Sequence, residues 1–245
     1  MSGSLADMEA QAMWLSQTRR LEALKQAVRS GIYANRRLRT LWTKAAHIRD
    51  ELFEFWNGID TAGQQRVHNL TLQGSHGPDA TAYSPVTPRN FRHALAALKI
   101  DYSHYCFIDV GSGKGRAVLL ASRYPFKKVI GIEFAKELHE AALKNLRTWR
   151  WKRKCGSVEL LWADALEFEF PAEPCLLFIH NPFGPSILSG VLENAQRSIE
   201  NRPRDLIVVY YQPNFKSVIQ AMPNVVPLSD SQYYNYAAYQ FRALR

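Results

Sequence analysis

Short apolar runs alternate regularly with stretches of helical periodicity in the second part of the chain. Runs such as Tyr105–Val110, Cys175–His180 and Leu206–Tyr211 are predominantly apolar, as strands buried on both faces of a sheet are. Strands that alternate with helices indicate right-handed βαβ units and a mostly parallel sheet. Val225–Leu228 and Tyr234–Phe241 follow each other without a helix between them, which predicts a final antiparallel hairpin.

The whole pattern predicts an α/β fold with a mostly parallel, seven-stranded, doubly wound sheet that ends in a C-terminal antiparallel hairpin. The predicted strands are Tyr105–Val110, Lys128–Ile132, Val158–Leu161, Cys175–His180, Leu206–Tyr211, Val225–Leu228 and Tyr234–Phe241. The predicted helices of this part are Arg89–Leu98, Gly113–Arg123, Ala135–Trp149, Pro185–Glu200 and Phe215–Ala221.

The residues before this pattern show helical periodicity and then loop-forming composition, without alternating strands. Apolar residues recur at spacings of three and four over Met8–Val28 and again over Leu38–Trp56, which predicts helices. Glycines, prolines and small polar residues then mark a loop region, followed by a short helix. We therefore expect an N-terminal helical extension over 1–60, a loop-rich connector over 61–100 and an α/β domain over 101–245.

Composition excludes several classes of protein. Hydrophobic residues make up 47% and charged residues 22%, which is typical of globular chains and not of collagen or disordered segments. The apolar runs are far shorter than the roughly 20 residues of a membrane span, and the N-terminus does not resemble a secretory signal. Cys106, Cys155 and Cys175 lie far apart and have no histidines at ligand spacing. We expect a cytoplasmic protein without membrane contact, disulfides or metal.

The most informative motif is Phe107-Ile-Asp-Val-Gly-Ser-Gly-Lys-Gly-Arg116, at the junction of a predicted strand and helix. Glycines there let the backbone turn tightly and approach a ligand, while the helix offers unpaired N–H groups. The phosphate-loop pattern fails because Gly115, and not Ser or Thr, follows Lys114. The dinucleotide pattern GxGxxG fails because Arg116 takes its last position. An acid, Asp109, precedes the first glycine by two residues, which suits a ligand with a cationic end.

Two further acids follow the next predicted strands. Glu133 lies 22 residues after Gly111, where an acid accepts hydrogen bonds from ribose hydroxyls in nucleotide-binding sheets. Asp164 follows the third strand and could accept from the exocyclic amine of adenine, while the Ala165 N–H serves the ring. Ligands of open α/β sheets bind at the carboxyl ends of the strands, so we expect these groups to form one site.

The segments FIDVGSGKGRAVLLAS, VIGIEFAKEL and WADALEF resemble the first three motifs of class I, Rossmann-like, S-adenosylmethionine-dependent methyltransferases. The resemblance covers roughly Asp101 to the C-terminus and implies methyl transfer with S-adenosyl-L-methionine as the cofactor. It implies cofactor-binding roles for Asp109, Gly111, Ser112, Gly113 and Gly115 on the methionine side, Glu133 at the ribose, and Asp164 and Ala165 at the adenine. A Rossmann-like fold that binds another ligand is the alternative.

An upstream segment, Tyr83-Ser-Pro-Val-Thr-Pro-Arg89, resembles the stretch before the first motif in some bacterial and lysine-directed members of this class. There the stretch caps the cofactor, so the resemblance implies a cofactor-binding role for Tyr83 and slightly favours a protein acceptor. A proline-rich linker is the alternative interpretation.

The fourth predicted strand ends in Leu177-Phe-Ile-His-Asn-Pro-Phe-Gly-Pro185, which resembles the Asn-Pro-Pro-aromatic signature of methyltransferases that act on planar nitrogens. The resemblance implies that Asn181 is catalytic and contacts the cofactor, and that Phe183 binds substrate. One proline is missing and Phe183 comes one position early, so the match is incomplete. Asn181 could instead cap the next helix, and His180 is either a base or a structural residue.

The chain is basic, with a net charge of +9. Nine Lys and Arg face a single acid between Arg19 and Arg49, and Lys144–Lys154 holds six Lys and Arg around Trp149 and Trp151. Basic residues interleaved with aromatics can grip single-stranded nucleic acid. The alternatives are solvated helix faces, and a helix end whose cations complement its dipole and whose tryptophans pack inside the protein.

Taken together, these patterns predict a methyltransferase that transfers a methyl group from S-adenosylmethionine to a nitrogen of a protein side chain. An RNA-directed or small-molecule-directed methyltransferase is the first alternative. A non-catalytic module that binds nucleic acid through a cofactor-binding fold is the second. The sequence leaves the oligomeric state open.

Overall fold

The computed structural model describes residues 48–63, 70–72, 83–181 and 183–243. The chain divides into two compact units, Met1–Arg49 and Asp50–Arg245, and the second unit is the subject below. The helix predicted over Met8–Val28 and most of the basic stretch between Arg19 and Arg49 lie outside the described residues.

Helices and strands of the second unit follow one another along the chain much as the sequence predicts. The helices are α1 over residues 50–57, α2 Pro88–Ala96, α3 Arg116–Ala121, α4 Lys136–Thr148, α5 Pro185–Asn201 and α6 Lys216–Gln220. The strands are β1 Cys106–Val110, β2 Lys128–Glu133, β3 Ser157–Trp162, β4 Cys175–Ile179, β5 Leu206–Tyr211, β6 Val225–Ser231 and β7 Tyr236–Phe241. Short 3-10 turns occupy Tyr102–His104 and Ala165–Glu167.

The strands form a seven-stranded sheet in the order β3-β2-β1-β4-β5-β7-β6. Strands β1 to β5 pair in parallel, and β7 pairs antiparallel with both β5 and β6. This topology confirms the predicted parallel sheet with its C-terminal hairpin. The strand order reverses between β1 and β4, and such a reversal opens a crevice at the carboxyl ends of the two strands.

Side chains of the strands alternate between two apolar layers. Ile108 and Val110 of β1 pack in the layer that α5 covers, whereas Phe107 packs in the layer that α2 and α3 cover. Strands β1, β4 and β5 are buried along their whole length. Helices on both faces explain why these strands, apart from Asp109 in β1, are apolar in the sequence.

Helix α3 begins at Arg116, three residues after the predicted start at Gly113. Gly111, Gly113 and Gly115 have φ angles of 75°, 54° and 85°, a region that residues with a Cβ rarely adopt. Because the loop requires all three conformations, a regular helix cannot begin before the last glycine. Spacing alone in the sequence does not reveal this delay.

Strand β6 also differs from its prediction, since it continues past Leu228 to Ser231. Its pairing with β7 shifts register between Pro227 and Ser229. A proline has no N–H for the ladder, so the strand is interrupted there and then resumes. The sequence pattern is broken at this point, so the prediction ends the strand at Leu228.

A buried arginine joins α1 to the start of α3. Arg116 is 1% exposed, and its guanidinium pairs with Asp50 at 3.2 Å and Glu54 at 3.0 Å. Its Nε donates to the Thr61 hydroxyl at 2.6 Å, and its guanidinium lies over the Phe53 ring. A charge withdrawn from water requires partners of this kind. The arginine therefore fixes α1 and the segment after it to the end of the glycine loop.

A buried amide extends the same connection to α4. Asn145 is 2% exposed, and its Oδ1 accepts from the Asp60 N–H at 2.8 Å. Its Nδ2 donates to the carbonyl oxygens of Asp60 and Lys114 at 2.9 Å and 3.0 Å. One side chain thus holds together the segment after α1, the glycine loop and α4.

Replacement of Arg116 by methionine leaves Asp50 and Glu54 without their cation. We expect Arg116→Met to lower the free energy of unfolding by about 3 kcal/mol, the scale of losing one partner of a buried ion pair. Lys114→Met is the matched control, because Lys114 pairs with Asp60, whose side chain is 80% exposed. Its loss should cost less than about 1 kcal/mol. Urea denaturation measures both, and equal costs would contradict the anchoring role of Arg116.

Candidate functional site

Two pockets open near the carboxyl ends of β1, β2 and β4. The first pocket is lined by Tyr83, Ser84, Pro85, Val86, Asp109, Gly111, Ser112, Arg116, Ala117, Phe178 and His180. The second pocket is lined by Gly111, Ile132, Phe134, Ala163, Asp164, Ala165, Phe183 and Ile187. Gly111 belongs to both pockets.

The two pockets lie on opposite faces of the sheet. Phe178 of the first pocket packs in the layer that α2 and α3 cover, whereas Ile132 and Ile187 of the second pack in the layer that α5 covers. The sheet edge runs between the pockets, so a ligand that fills both must cross the edge at Gly111. The absence of a side chain at that residue leaves the crossing open.

Besides Arg116, which is paired with two carboxylates of α1, the first pocket contains two buried polar groups. Asp109 is 3% exposed, and burial, followed by the charge of Glu133, raises the pKa of its carboxyl well above the usual range. The Ser112 hydroxyl is buried and has no hydrogen-bond partner among the described residues. Buried polar groups are costly unless a partner satisfies them. The first pocket therefore fits a ligand with a cationic, hydrogen-bonding end.

Glu133 lies at the end of β2 and holds the glycine loop. Its Oε2 accepts from the Gly113 N–H at 2.6 Å, and its Oε1 accepts from the Ala135 N–H at 2.9 Å. Burial raises the pKa of Glu133 to about 7, although these hydrogen bonds act in the opposite direction. The carboxyl of Glu133 therefore changes its charge near neutral pH.

The second pocket is an apolar slot with one carboxylate. Phe134, Phe183 and Ile187 supply its apolar lining. Asp164 accepts from the Leu166 N–H at 2.9 Å, which fixes its carboxylate at the start of a 3-10 turn. A flat apolar ring with an amine substituent fits such a slot. Phe183, which the sequence analysis expects on the substrate side, lies in this pocket.

Tyr83 covers the middle glycine of the loop. A Cβ at Gly113 would lie 2.2 Å from two ring atoms of Tyr83, so the ring rests directly on the glycine. The Tyr83 hydroxyl donates to the Thr61 carbonyl at 2.7 Å, and burial raises the pKa of the phenol far above its usual range. The Arg116 network thus continues through Thr61 into the first pocket.

Four of the predicted site residues line neither pocket: Gly113, Gly115, Glu133 and Asn181. A Cβ at Gly115 would lie 3.1 Å from the Ala142 Cβ, so this glycine allows α4 to pack closely on the loop. Asn181 has a φ of 45° just after β4, and its Oδ1 accepts from the Tyr210 hydroxyl at 2.9 Å. The cofactor-binding role of Gly115 and both roles of Asn181 stay predictions.

His180, which the sequence leaves open as either a base or a structural residue, lines the first pocket. The Tyr211 ring contacts it edge-on, with centroids 4.5 Å apart. Burial lowers the pKa of His180 to about 4, against the opposing effect of a hydrogen bond with Gln212. The imidazole is therefore neutral at physiological pH and shares its pocket with Asp109.

Sequence reasoning missed the network beneath the loop and much of the second pocket. The sequence analysis treats Arg116 only as a departure from the dinucleotide pattern. A cation in the first turn of a buried helix is itself a signal, because it requires buried partners. Phe134 and Ile187 carry no comparable signal, since apolar residues beside a strand end are ordinary core positions.

The residues that the structure describes contain neither a metal-ligand cluster nor a membrane-spanning helix. No group of three or more His, Cys, Asp and Glu lies close enough there to hold a metal ion. Within the same ranges, no helix is both long and apolar enough to cross a membrane.

The sheet order identifies the fold. The chain has the fold of the class I, Rossmann-like, S-adenosylmethionine-dependent methyltransferases. It is similar to an S-adenosylmethionine-dependent O-methyltransferase from Thermotoga maritima, with a TM-score of 0.50 and 15% sequence identity. That match covers 66% of this chain and 68% of the other.

Two other solved structures are also similar. One is an RNA methyltransferase from Salinibacter ruber in complex with S-adenosyl-L-homocysteine, with a TM-score of 0.44 and 16% identity over 64% of this chain and 92% of that chain. The other is a ribosomal protein L11 methylase from Lactobacillus delbrueckii subsp. bulgaricus, with a TM-score of 0.47 and 15% identity over 64% and 80%. No protein-family model and no curated protein sequence matches the chain. The likeness concerns the fold.

Gly113→Ala is expected to lower the free energy of unfolding more than Gly63→Ala. Both glycines have positive φ, 54° and 81°. A Cβ at Gly63 meets no atom of the described residues within 4 Å, so Gly63→Ala measures backbone strain, about 1 kcal/mol. At Gly113 the clash with the Tyr83 ring adds to that strain. Urea denaturation of both variants measures the difference.

A double-mutant cycle tests the cause of the extra cost. In a Tyr83→Ala background the ring is absent, so the cost of Gly113→Ala should fall to that of Gly63→Ala. A cost that does not change in this background would show that Tyr83 does not rest on Gly113.

Proposed function

We propose that the protein is a methyltransferase that uses S-adenosylmethionine. The observation that carries this proposal is the pair of pockets that share Gly111. One has a buried carboxylate and an unpartnered hydroxyl, and the other is an apolar slot with Asp164. S-adenosylmethionine has an amino-acid end and an adenine end joined by a ribose, so each end matches one pocket.

The residues present fit this cofactor. Those that would hold it are Asp109 and Ser112 at the amino-acid end, Tyr83 and the Gly111–Gly113 loop along its length, Glu133 at the ribose hydroxyls, and Asp164, Ala165, Phe134 and Phe183 at the adenine. The bound cofactor supplies an activated methyl group on a positively charged sulfur. The protein positions the acceptor atom and excludes water from it.

We assign the acceptor nitrogen to the end of β4, beside His180 and Asn181. The Tyr210 hydroxyl holds the Asn181 side chain, so the amide is oriented before an acceptor arrives. Asn181 then directs the acceptor lone pair by hydrogen bonding. His180 is neutral at physiological pH, because its pKa is about 4, and adds no positive charge beside the sulfonium.

The acceptor that we propose is a nitrogen of a protein side chain. Support comes from the segment that resembles the cofactor cap of lysine-directed methyltransferases, since residues 83–86 of that segment line the first pocket. An RNA base or a small molecule is the alternative acceptor. The reaction is the same in each case, and only the surface that presents the nitrogen differs.

Cofactor affinity should depend on the charge of Glu133. Its pKa is about 7 in the ligand-free protein, so a rise in pH ionises it and a fall in pH protonates it. Only the ionised carboxylate accepts from both ribose hydroxyls. We expect S-adenosylhomocysteine to bind with micromolar affinity at about pH 8 and about 10-fold more weakly at about pH 6. Calorimetric titration measures both values.

Two variants test whether the pH dependence of S-adenosylhomocysteine binding comes from Glu133. Glu133→Gln should bind weakly at both pH values, with a flatter dependence that retains only the contribution of Asp109. Glu140→Gln changes an exposed carboxylate on α4 and should bind like the wild type. If the folded wild-type protein does not bind S-adenosylhomocysteine, the proposed function is wrong.

Methyl transfer should depend on Asn181 more than cofactor binding does. Asn181→Gly removes the side chain and tolerates the positive φ, and we expect it to lower the transfer rate about 100-fold. Tyr210→Phe removes only the hydroxyl that holds Asn181 and should lower the rate about 10-fold. Tyr239→Phe is the matched control, because that buried hydroxyl has no partner among the described residues.

The acceptor class can be read from the fate of a labelled methyl group. Lysate from cells that lack the gene is incubated with the protein and radiolabelled S-adenosylmethionine, and the rates above are measured on the labelled fraction. Label that survives ribonuclease and alkali, and is lost to protease, marks a protein N-methyl group. Label that ribonuclease releases would favour the RNA alternative and contradict the protein acceptor.

A further inference from the structure

A third concave surface lies apart from both pockets. It is a groove of about 660 Å³, which we name the basic groove, and it is lined by Pro88, Phe91, Arg92, Tyr102, Leu120, Arg123, Tyr124, Pro125, Trp151 and Lys154. It shares none of these described residues with the first or the second pocket. Its volume is in the range of ligand sites.

The cations of the basic groove have no acidic partner among the residues that the structure describes. Arg92, Arg123 and Lys154 are exposed, and no carboxylate in the described part of the chain forms an ion pair with them. The sequence explains this, because residues 80–100, 110–132 and 141–158 contain no Asp or Glu. Partial burial and then the nearby charge of Arg92 lower the pKa of Arg123. Like charges held together in this way attract an anion.

Aromatic side chains complete the basic groove. Tyr102 and Tyr124 are half-buried, their ring centroids are 5.3 Å apart, and the Tyr124 ring rests against Phe91. The Tyr102 hydroxyl donates to the Leu95 carbonyl at 2.8 Å, which fixes that ring. The groove therefore combines flat, immobilised rings with unpaired positive charge.

Backbone hydrogen bonds bring the cations of two distant segments together. The N–H groups of Lys154 and Cys155 donate to the Ser122 carbonyl at 2.8 Å and 3.3 Å, so Lys154 lies beside Arg123. The Arg123 guanidinium in turn stacks on Trp151, 3.5 Å from its ring centroid. These contacts are made by the protein's own groups, so they hold Arg123, Trp151 and Lys154 together in the basic groove.

The tryptophans of the basic run have a different role. Trp149 and Trp151 both contact Phe53 of α1, at centroid distances of 6.3 Å and 6.0 Å. Both are half-buried and pack against α1, as one of the two interpretations of the run expects, and Trp151 also lines the basic groove. Lys154, at the end of the run, reaches the basic groove, whereas Lys144 and Arg147 on α4 do not line it.

We propose that the basic groove binds single-stranded nucleic acid, with phosphates at Arg92, Arg123 and Lys154 and bases against the rings of Tyr102 and Tyr124. Phosphate contacts supply affinity without sequence preference, and aromatic rings stack on any base. An acidic protein segment would also meet the cations, but only a nucleic acid presents a flat ring beside every anionic group. The binding of cofactor plays no part in this inference.

Fluorescence anisotropy with a short labelled oligouridylate tests the inference, and two charge-reversed pairs identify the site. Arg92→Glu with Lys154→Glu should weaken binding by about 10-fold or more. Lys144→Glu with Arg147→Glu makes the same change in net charge on exposed residues of the same basic run, outside the basic groove, and should weaken binding by less than about 3-fold. Equal losses in the two pairs would overturn the proposal.

A second comparison isolates the stacking contact. Tyr124→Leu should weaken binding about 10-fold, whereas Tyr124→Phe keeps the ring and should bind like the wild type. Thermal unfolding confirms that each variant is folded. Equal affinity of the two Tyr124 variants, or tighter binding of polyglutamate than of oligouridylate, would reject nucleic acid as the ligand. The titrations contain no cofactor, so their failure would leave the proposed methyltransferase function intact.

Discussion

A guanidinium that is 1% exposed must be neutralised inside the protein, and the solution found for Arg116 organises the whole region around the glycine loop. Its partners Asp50 and Glu54 belong to α1, and Thr61 follows that helix. Thr61 also receives the hydroxyl of Tyr83, whose ring covers the loop. The ion pairs of Arg116 therefore hold the end of the glycine loop. The same network holds Tyr83 through Thr61, and the Tyr83 ring covers Gly113.

The reversal of strand order between β1 and β4 determines where chemistry can occur. Strand alternation sends Asp109 and His180 towards the first pocket, while Ile132 and Phe183 belong to the second. A ligand with a charged end and a flat apolar end can satisfy both faces at once. The basic groove has no place in this arrangement, because it forms from α2, the end of α3 and the segment before β3.

The fold was predictable because continuous apolar runs such as Cys175–His180 and the missing helix before the last strand depend only on local sequence. The positions of Asp109, Glu133 and Asp164 followed from the rule that parallel strands end at one edge. The partners of Arg116 were not predictable, since Asp50 and Glu54 lie 66 and 62 residues away along the chain. Such pairings arise only when tertiary packing brings distant helices together.

The contact of Tyr83 with Gly113 connects the docking of α1 to the conformation of the glycine loop. A ligand that requires the covered loop also favours the state in which Thr61 receives the Tyr83 hydroxyl and α1 is held by Arg116. Linkage is reciprocal, so a partner whose binding depends on the docking of α1 would change the affinity of a ligand at the loop by the same factor by which that ligand changes the affinity of the partner. The contacts from Tyr83 through Thr61 to Arg116 thus connect the covered glycine loop to α1.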